Sequence, residues 1–201
     1  MAPAADAARK AAIKLHDRVN MVVIPPILLG CVVGCFSEVV DRWLLSAAFL
    51  AYIGLDTVWI IVEPRAVPRL WGWVLQHHVV TFLLLTHPLR YPEQGIYTCI
   101  NGTVELNTMF LLARRSTKGW VSALCNVLYW ATTVGIRLMV MPWVLYKLWG
   151  VMQAPKYPVH EFWLVILTQG WLCLFNVFLT LVQLSKRKKA PAAAEGAAKD
   201  K

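Results

Sequence analysis

Trp43-Leu44-Leu45-Ser46-Ala47-Ala48-Phe49-Leu50-Ala51-Tyr52-Ile53-Gly54-Leu55-Asp56-Thr57-Val58-Trp59-Ile60-Ile61-Val62 holds a single charged side chain, Asp56. A helix rises 1.5 Å per residue, so this stretch covers the ~30 Å hydrocarbon core of a bilayer. It is also too continuously apolar for the short alternating strands of a membrane barrel. Working outward, comparable runs occupy 19–38, 71–86, 96–113, 120–146 and 161–184, separated by short charged or proline-rich links. The chain is 58% hydrophobic and only 15% charged, where soluble domains carry about 25% charged residues. The mean hydropathy is +0.54. The expected fold is all-α: a polytopic membrane bundle of about six transmembrane helices.

Three regions follow from composition. Residues 1–18 and 186–201 are Ala-rich and polar and are expected to be disordered tails, the second opening on Lys186, Arg187, Lys188 and Lys189. Residues 19–185 form the membrane domain. Its first run lacks a small-residue cleavage site and is followed by Glu38 and Asp41, so it reads as a retained helix, bent at Pro25 and Pro26. The net charge of +9 sits at helix ends and tails with no soluble domain between them. That pattern fits anchoring against anionic headgroups and argues against nucleic acid as a partner. The five cysteines, an odd number mostly inside apolar runs, read as packing residues rather than a disulfide framework.

Orientation follows from the bias of lysine and arginine toward cytosolic loops. With six crossings, one side holds Arg9, Lys10, Lys14, Arg18, Arg65, Arg69, Arg114, Arg115, Lys118 and the Lys186–Lys189 cluster, against Arg42, Arg90, Lys147 and Lys156 on the other. Both termini are therefore expected in the cytosol.

Ionisable groups inside a bilayer cost about 2.5–3.5 kcal/mol each on insertion scales and are rarely turned to lipid. Asp56, His77, His78, Glu105, Asn126 and Asn176 all fall roughly 9–12 Å below the cytosolic surface when depth is counted along ideal helices. One shared depth predicts one polar layer, lining a tunnel open toward the cytosol. The alternative is that these residues pair with one another and hold the bundle together. A histidine oriented by Asp56 or Glu105 suits removal of a proton from a hydroxyl or amine as it attacks an acyl thioester. Consecutive helical residues diverge by about 100°, so His77 and His78 do not point at one atom. Trp73, His77 and Thr81 share a stripe with Gln76 beside it, which favours His77 as the wetter ring. Metal is not expected, because His16, His87 and His160 lie outside the layer. Arg137, counted along its run, falls toward the opposite half, where snorkelling, pairing with a carboxylate or a lipid phosphate would accommodate it.

Certain pieces, in order, resemble the TLC-domain family, the membrane domain shared by translocating-chain-associating proteins, ceramide synthases and a neuronal ceroid lipofuscinosis protein. They are Tyr52-Ile53-Gly54-Leu55-Asp56; Gln76-His77-His78 with Thr81; Glu105-Leu106-Asn107-Thr108 through Phe110 to Arg114; and Arg137 followed by Pro142-Trp143. The resemblance covers about residues 43–146. It implies helices around a lipid-accessible tunnel, in endoplasmic reticulum or a related endomembrane, and a role in sphingolipid or phospholipid metabolism. In ceramide synthases the paired histidines and downstream aspartates transfer an acyl group from acyl-CoA to a long-chain base. Here Glu105 and Asn107 stand where that acidic segment is expected, so the chain is more similar to the short TLC-domain proteins. The expected catalytic set is His77, His78, Asp56 and Glu105. Tyr52, Gln76, Thr81, Asn107, Asn126, Asn176 and Arg137 complete the expected binding set. No bound cofactor is expected. Acyl-CoA is the candidate co-substrate and membrane lipids are the partners, with homo-oligomers compatible. A non-enzymatic regulator of membrane lipid composition is the alternative, and a translocation accessory or channel-like protein a third.

Overall fold

The computed structural model describes residues 2–67 and 70–199, with side chains described for 5–67 and 70–185. The described residues form eight α-helices: α1 (Ala2–Phe36), α2 (Arg42–Val62), α3 (Trp71–Arg90), α4 (Gly95–Gly102), α5 (Glu105–Ser116), α6 (Gly119–Thr132), α7 (Met141–Val151) and α8 (Val159–Lys199). Among the described residues there is no strand. A π-helical segment, Thr133–Val140, joins α6 to α7.

Among the described residues four stretches are long and apolar enough to cross a bilayer: Ala5–Phe36, Arg42–Val62, Gly119–Val151 and Val159–Ser185. Their outward faces carry large apolar side chains such as Val22, Leu29, Leu55, Val127, Leu167 and Leu174. Lipid is therefore the solvent of this all-helical membrane protein. The other two runs differ from the expectation for physical reasons. Helix α3 has Gln76, His77, His78, His87 and Arg90 among its 20 residues. The run 96–113 is broken at Thr103 and Val104 into α4 and α5. These three shorter helices lie against the longer ones, α3 against α2 and α8, and α4 against α1 and α2.

Helix α1 starts at Ala2, within the Ala-rich N-terminal segment, with side chains described from residue 5 onward. Alanine has the highest helix propensity, and His16 and Asn20 are buried against the bundle, so the segment has both a local and a tertiary reason to order. Helix α1 continues through Pro25 and Pro26. Backbone helix α8 likewise continues past Ser185 to Lys199, while the side chains of the 186–189 basic cluster lie outside those described. Asp41 caps α2, its Oδ1 accepting from the amides of Trp43 and Leu44 at 2.9 and 3.1 Å.

Two apolar cores hold the bundle. Cys31, Leu45, Phe49, Ile53, Leu85 and Cys99 join α1–α4, and Leu84, Val144, Leu148, Val165 and Leu172 join α3, α7 and α8. All five cysteines are free, with Cys31 and Cys99 fully buried. Helix α4 approaches α1 so closely that a Cβ on Gly102 would collide with Cys31 Sγ and stand 3.2 Å from Phe49. Gly102→Ala is therefore expected to destabilise the fold by about 1–3 kcal/mol, as overpacking does. Thermal unfolding in detergent checks it, and an unchanged Tm would mean that α4 can retreat freely.

Candidate functional site

The site is built around Asp56, which α2 carries into the bundle with 7% of its surface exposed. Its Oδ1 lies 2.8 Å from Nε2 of His16, and its Oδ2 lies 3.7 Å from Nε2 of His78. One carboxylate thus faces two imidazoles from different helices, in direct hydrogen-bond contact with one and within ion-pair reach of the other. Asn20 sits one turn after His16, with its amide nitrogen 3.4 Å from Nε2, and its oxygen accepts from the Tyr52 hydroxyl at 3.3 Å. Trp59 meets the His16 ring edge-on at 5.6 Å. His16, Asn20, Asp56 and Tyr52 therefore clasp α1 to α2.

His78 faces Asp56, while the neighbouring His77 ring stacks on Phe175 from α8, centroids 4.7 Å apart and 13° from parallel. Nδ1 of each histidine is buried with no hydrogen-bond partner in the protein. The divergence expected from helical geometry is thus present, with His78 rather than His77 beside the carboxylate. Gln76 is exposed and lines neither cavity described below.

Arg137 joins this layer instead of lying apart from it. Its Nε donates to Asn107 Oδ1 at 2.7 Å and its Nη1 to Asn176 Oδ1 at 2.8 Å. Asn107 is fixed in turn, its amide nitrogen 2.8 Å from the Tyr129 carbonyl and 2.9 Å from each of the Thr132 and Thr133 hydroxyls. With 1% of its surface exposed, Asn107 acts by positioning the guanidinium and does not line the cavity expected of it. The Tyr129 hydroxyl bonds Gln183 of α8 from the same side. Asn126 does not reach the layer. It accepts from Arg114 Nη1 at 3.0 Å and lines a separate shallow groove with Thr117, Lys118 and Ser122.

A cavity of about 840 Å³ opens over these groups. Asp56, His77, His78, Glu105 and Arg137 line its depth, and Ile53, Ile60, Val74, Leu111 and Leu179 supply apolar wall. Arg9, Arg114 and Arg115 line it toward the start of α1 and the end of α5, with Asp17 3.7 Å from Arg115. The polarity therefore changes from cationic rim to apolar wall to an acid–imidazole floor.

The chain matches no family model and no curated protein. What the site can do therefore rests on its own chemistry. An imidazole with one nitrogen toward a carboxylate and the other unpartnered in the protein has the form of a general base. A cationic rim attracts an anionic head, and an apolar wall accepts a hydrocarbon chain.

Asp56, His77, His78, Glu105 and Arg137 are assembled in one place, with Tyr52 on the same cavity and Asn176 reaching it through Arg137. Thr81 faces a second, narrower pocket. His16 and Asn20 were missed. Their signal was present, because His16, Asn20 and Ile24 fall at i, i+4 and i+8 on one buried face of α1.

Proposed function

We propose that this protein acts in membrane lipid metabolism, as an acyltransferase that moves an acyl group from acyl-CoA to a lipid amine or hydroxyl. The observation that carries the reading is the cavity itself, with Asp56 and His78 3.7 Å apart in its depth and arginines at its rim. His78, oriented by Asp56, takes the proton from the attacking amine or hydroxyl, and CoA leaves as the thiol. Arg137 and Glu105 supply charge beside the reacting carbonyl, and the rim arginines meet the phosphates of the donor. The resemblance of residues 43–146 to the TLC-domain family points the same way. In this reading α3 and α4–α5 cross the bilayer as inner helices shielded by the four apolar ones, giving six crossings with both termini cytosolic. Residence in endoplasmic reticulum or another endomembrane belongs to the same proposal.

The test is release of CoA thiol from long-chain acyl-CoA by purified protein, offered lysophospholipids and long-chain bases in turn. Turnover with one acceptor class would support the reading and name the acceptor. A second reading is favoured by one observation: the shortest contact of Asp56 is to His16, not His78. If that clasp is the purpose of the carboxylate, the protein binds lipid without turnover and regulates membrane composition. Lipid binding with no thiol release from any acceptor would establish that alternative over the enzyme.

A further inference from the structure

A second pocket starts where the wide one ends. His77 and Glu105 line both, and from them the narrow pocket runs to His87 and Gln94. His77 and His87 are ten residues apart on α3, so it extends about 15 Å along the bundle. Its polar wall is regular: Gln94, Thr98, Asn101 and Glu105 follow at i, i+4, i+7 and i+11, one face of α4 and the turns flanking it. Leu84, Leu85, Val165 and Leu172 form apolar wall.

Four polar atoms on this pocket are buried with no hydrogen-bond partner in the protein: Nδ1 of His77, Oγ1 of Thr81, Nε2 of His87 and Oε1 of Gln94. Two belong to each end. Buried polar atoms are almost always satisfied, by protein or by internal water. The cavity volume of about 60 Å³ is several times the ~10–15 Å³ that one water needs, so it suits a short file of water and is too small for a fully hydrated metal ion.

The far end connects to the surface. His87, 2% exposed, has Nδ1 3.0 Å from Glu161 Oε2, and Glu161, 3% exposed, accepts from Arg90 Nη2 at 2.9 Å. The Arg90 side chain is 48% exposed. His160 Nε2 lies 3.8 Å from Glu161, and Glu93 and Lys156 pair at 2.7 Å on the same rim. At the near end the charged and titratable groups are Asp56, His78, His16, Glu105 and Arg137.

We propose that the narrow pocket is a proton path, a short file of water joining the Asp56 layer to the His87–Glu161 pair at the opposite end of the bundle. His87 Nε2 accepts a proton from the file while Nδ1 releases one to Glu161, which passes it to His160 or to water at the rim, and a flip of the neutral ring returns its N–H to the Glu161 side. At the other end His77 Nδ1 exchanges protons with the file and passes them into the wide cavity. Nothing is oxidised or reduced. The direction is set by the gradient across the membrane, and the leucine and valine wall keeps out ions that cannot shed their water. Embedded ionisable residues of this kind are the usual components of intramembrane proton relays.

The experiment uses full-length protein in phosphatidylcholine–phosphatidylglycerol vesicles enclosing a pH-sensitive dye, with a potassium diffusion potential imposed by valinomycin. Proton entry faster than in protein-free vesicles is expected, falling to the protein-free rate in Thr81→Val and Gln94→Leu, which leave the Glu161–Arg90 ion pair in place. Thermal unfolding shows that both variants fold, and protease protection shows insertion. Three outcomes overturn the proposal: no excess entry with inserted wild type, entry undiminished in both folded variants, or equal entry of sodium, which marks an unselective leak.

Discussion

Arg137→Ala is expected to destabilise the protein by about 3 kcal/mol, the loss of two charge-assisted hydrogen bonds at roughly 1.5–3 kcal/mol each. The guanidinium reaches Asn107 on α5 and Asn176 on α8 from the π-helical segment between them. Removing it leaves two buried amide oxygens without those donors and takes from the depth of the cavity the cation that lines it beside Glu105. Arg137→Lys keeps the charge but not the fork that spans two acceptors, so it should recover part of the loss. Unfolding in detergent, read by tryptophan fluorescence, measures both. Equal stability of wild type and Arg137→Ala would mean that Asn107 and Asn176 hold these helices together unaided.

The second large effect is on turnover. His78→Ala is expected to lower acyl transfer by about 10²–10⁴-fold, the usual contribution of a positioned general base. Asp56→Asn should cost less in rate and also lower stability, because it weakens the 2.8 Å contact with His16 as well as the orientation of His78. His77→Ala separates the two rings, since His77 stacks on Phe175 and stands where the two pockets meet. Thiol release and Tm on the same preparations distinguish the cases. Full turnover in folded His78→Ala would remove that residue from the chemistry.

Depth counting along ideal helices found Asp56, His77, His78 and Glu105 because α2 and α3 start close to where their apolar runs start and α5 ends close to where its run ends. It misplaced Asn126 and Arg137 for one common reason. The stretch Gly119–Val151 is 33 residues long, about 50 Å at 1.5 Å per residue and well beyond the hydrocarbon thickness. Its first turns therefore need not be immersed. Asn126 binds Arg114 near the end of α5, and Arg137 is correspondingly less deep than its place in the run implied. His16 was lost by a different route, since an Ala-rich charged segment has the composition of a tail and only the stripe shared with Asn20 and Ile24 shows otherwise. The break at Thr103–Val104 left no strong signal, because both residues keep right-handed helical backbone angles.

The wide-turned segment Thr133–Val140 has one further consequence. Tyr129, Thr133, Arg137 and Met141 recur every fourth residue, and each has an interior partner: Gln183, Asn107, Asn176 and Gln169 respectively. In an ordinary α-helix such a series drifts by about 120° over twelve residues, so its two ends would face different neighbours. The i→i+5 turns advance each residue through a smaller angle and keep the series nearly straight. Shortening this segment by one residue would restore regular winding, but a single straight row of anchors would become a spiral. The bundle would then have to choose between seating the arginine and seating α7.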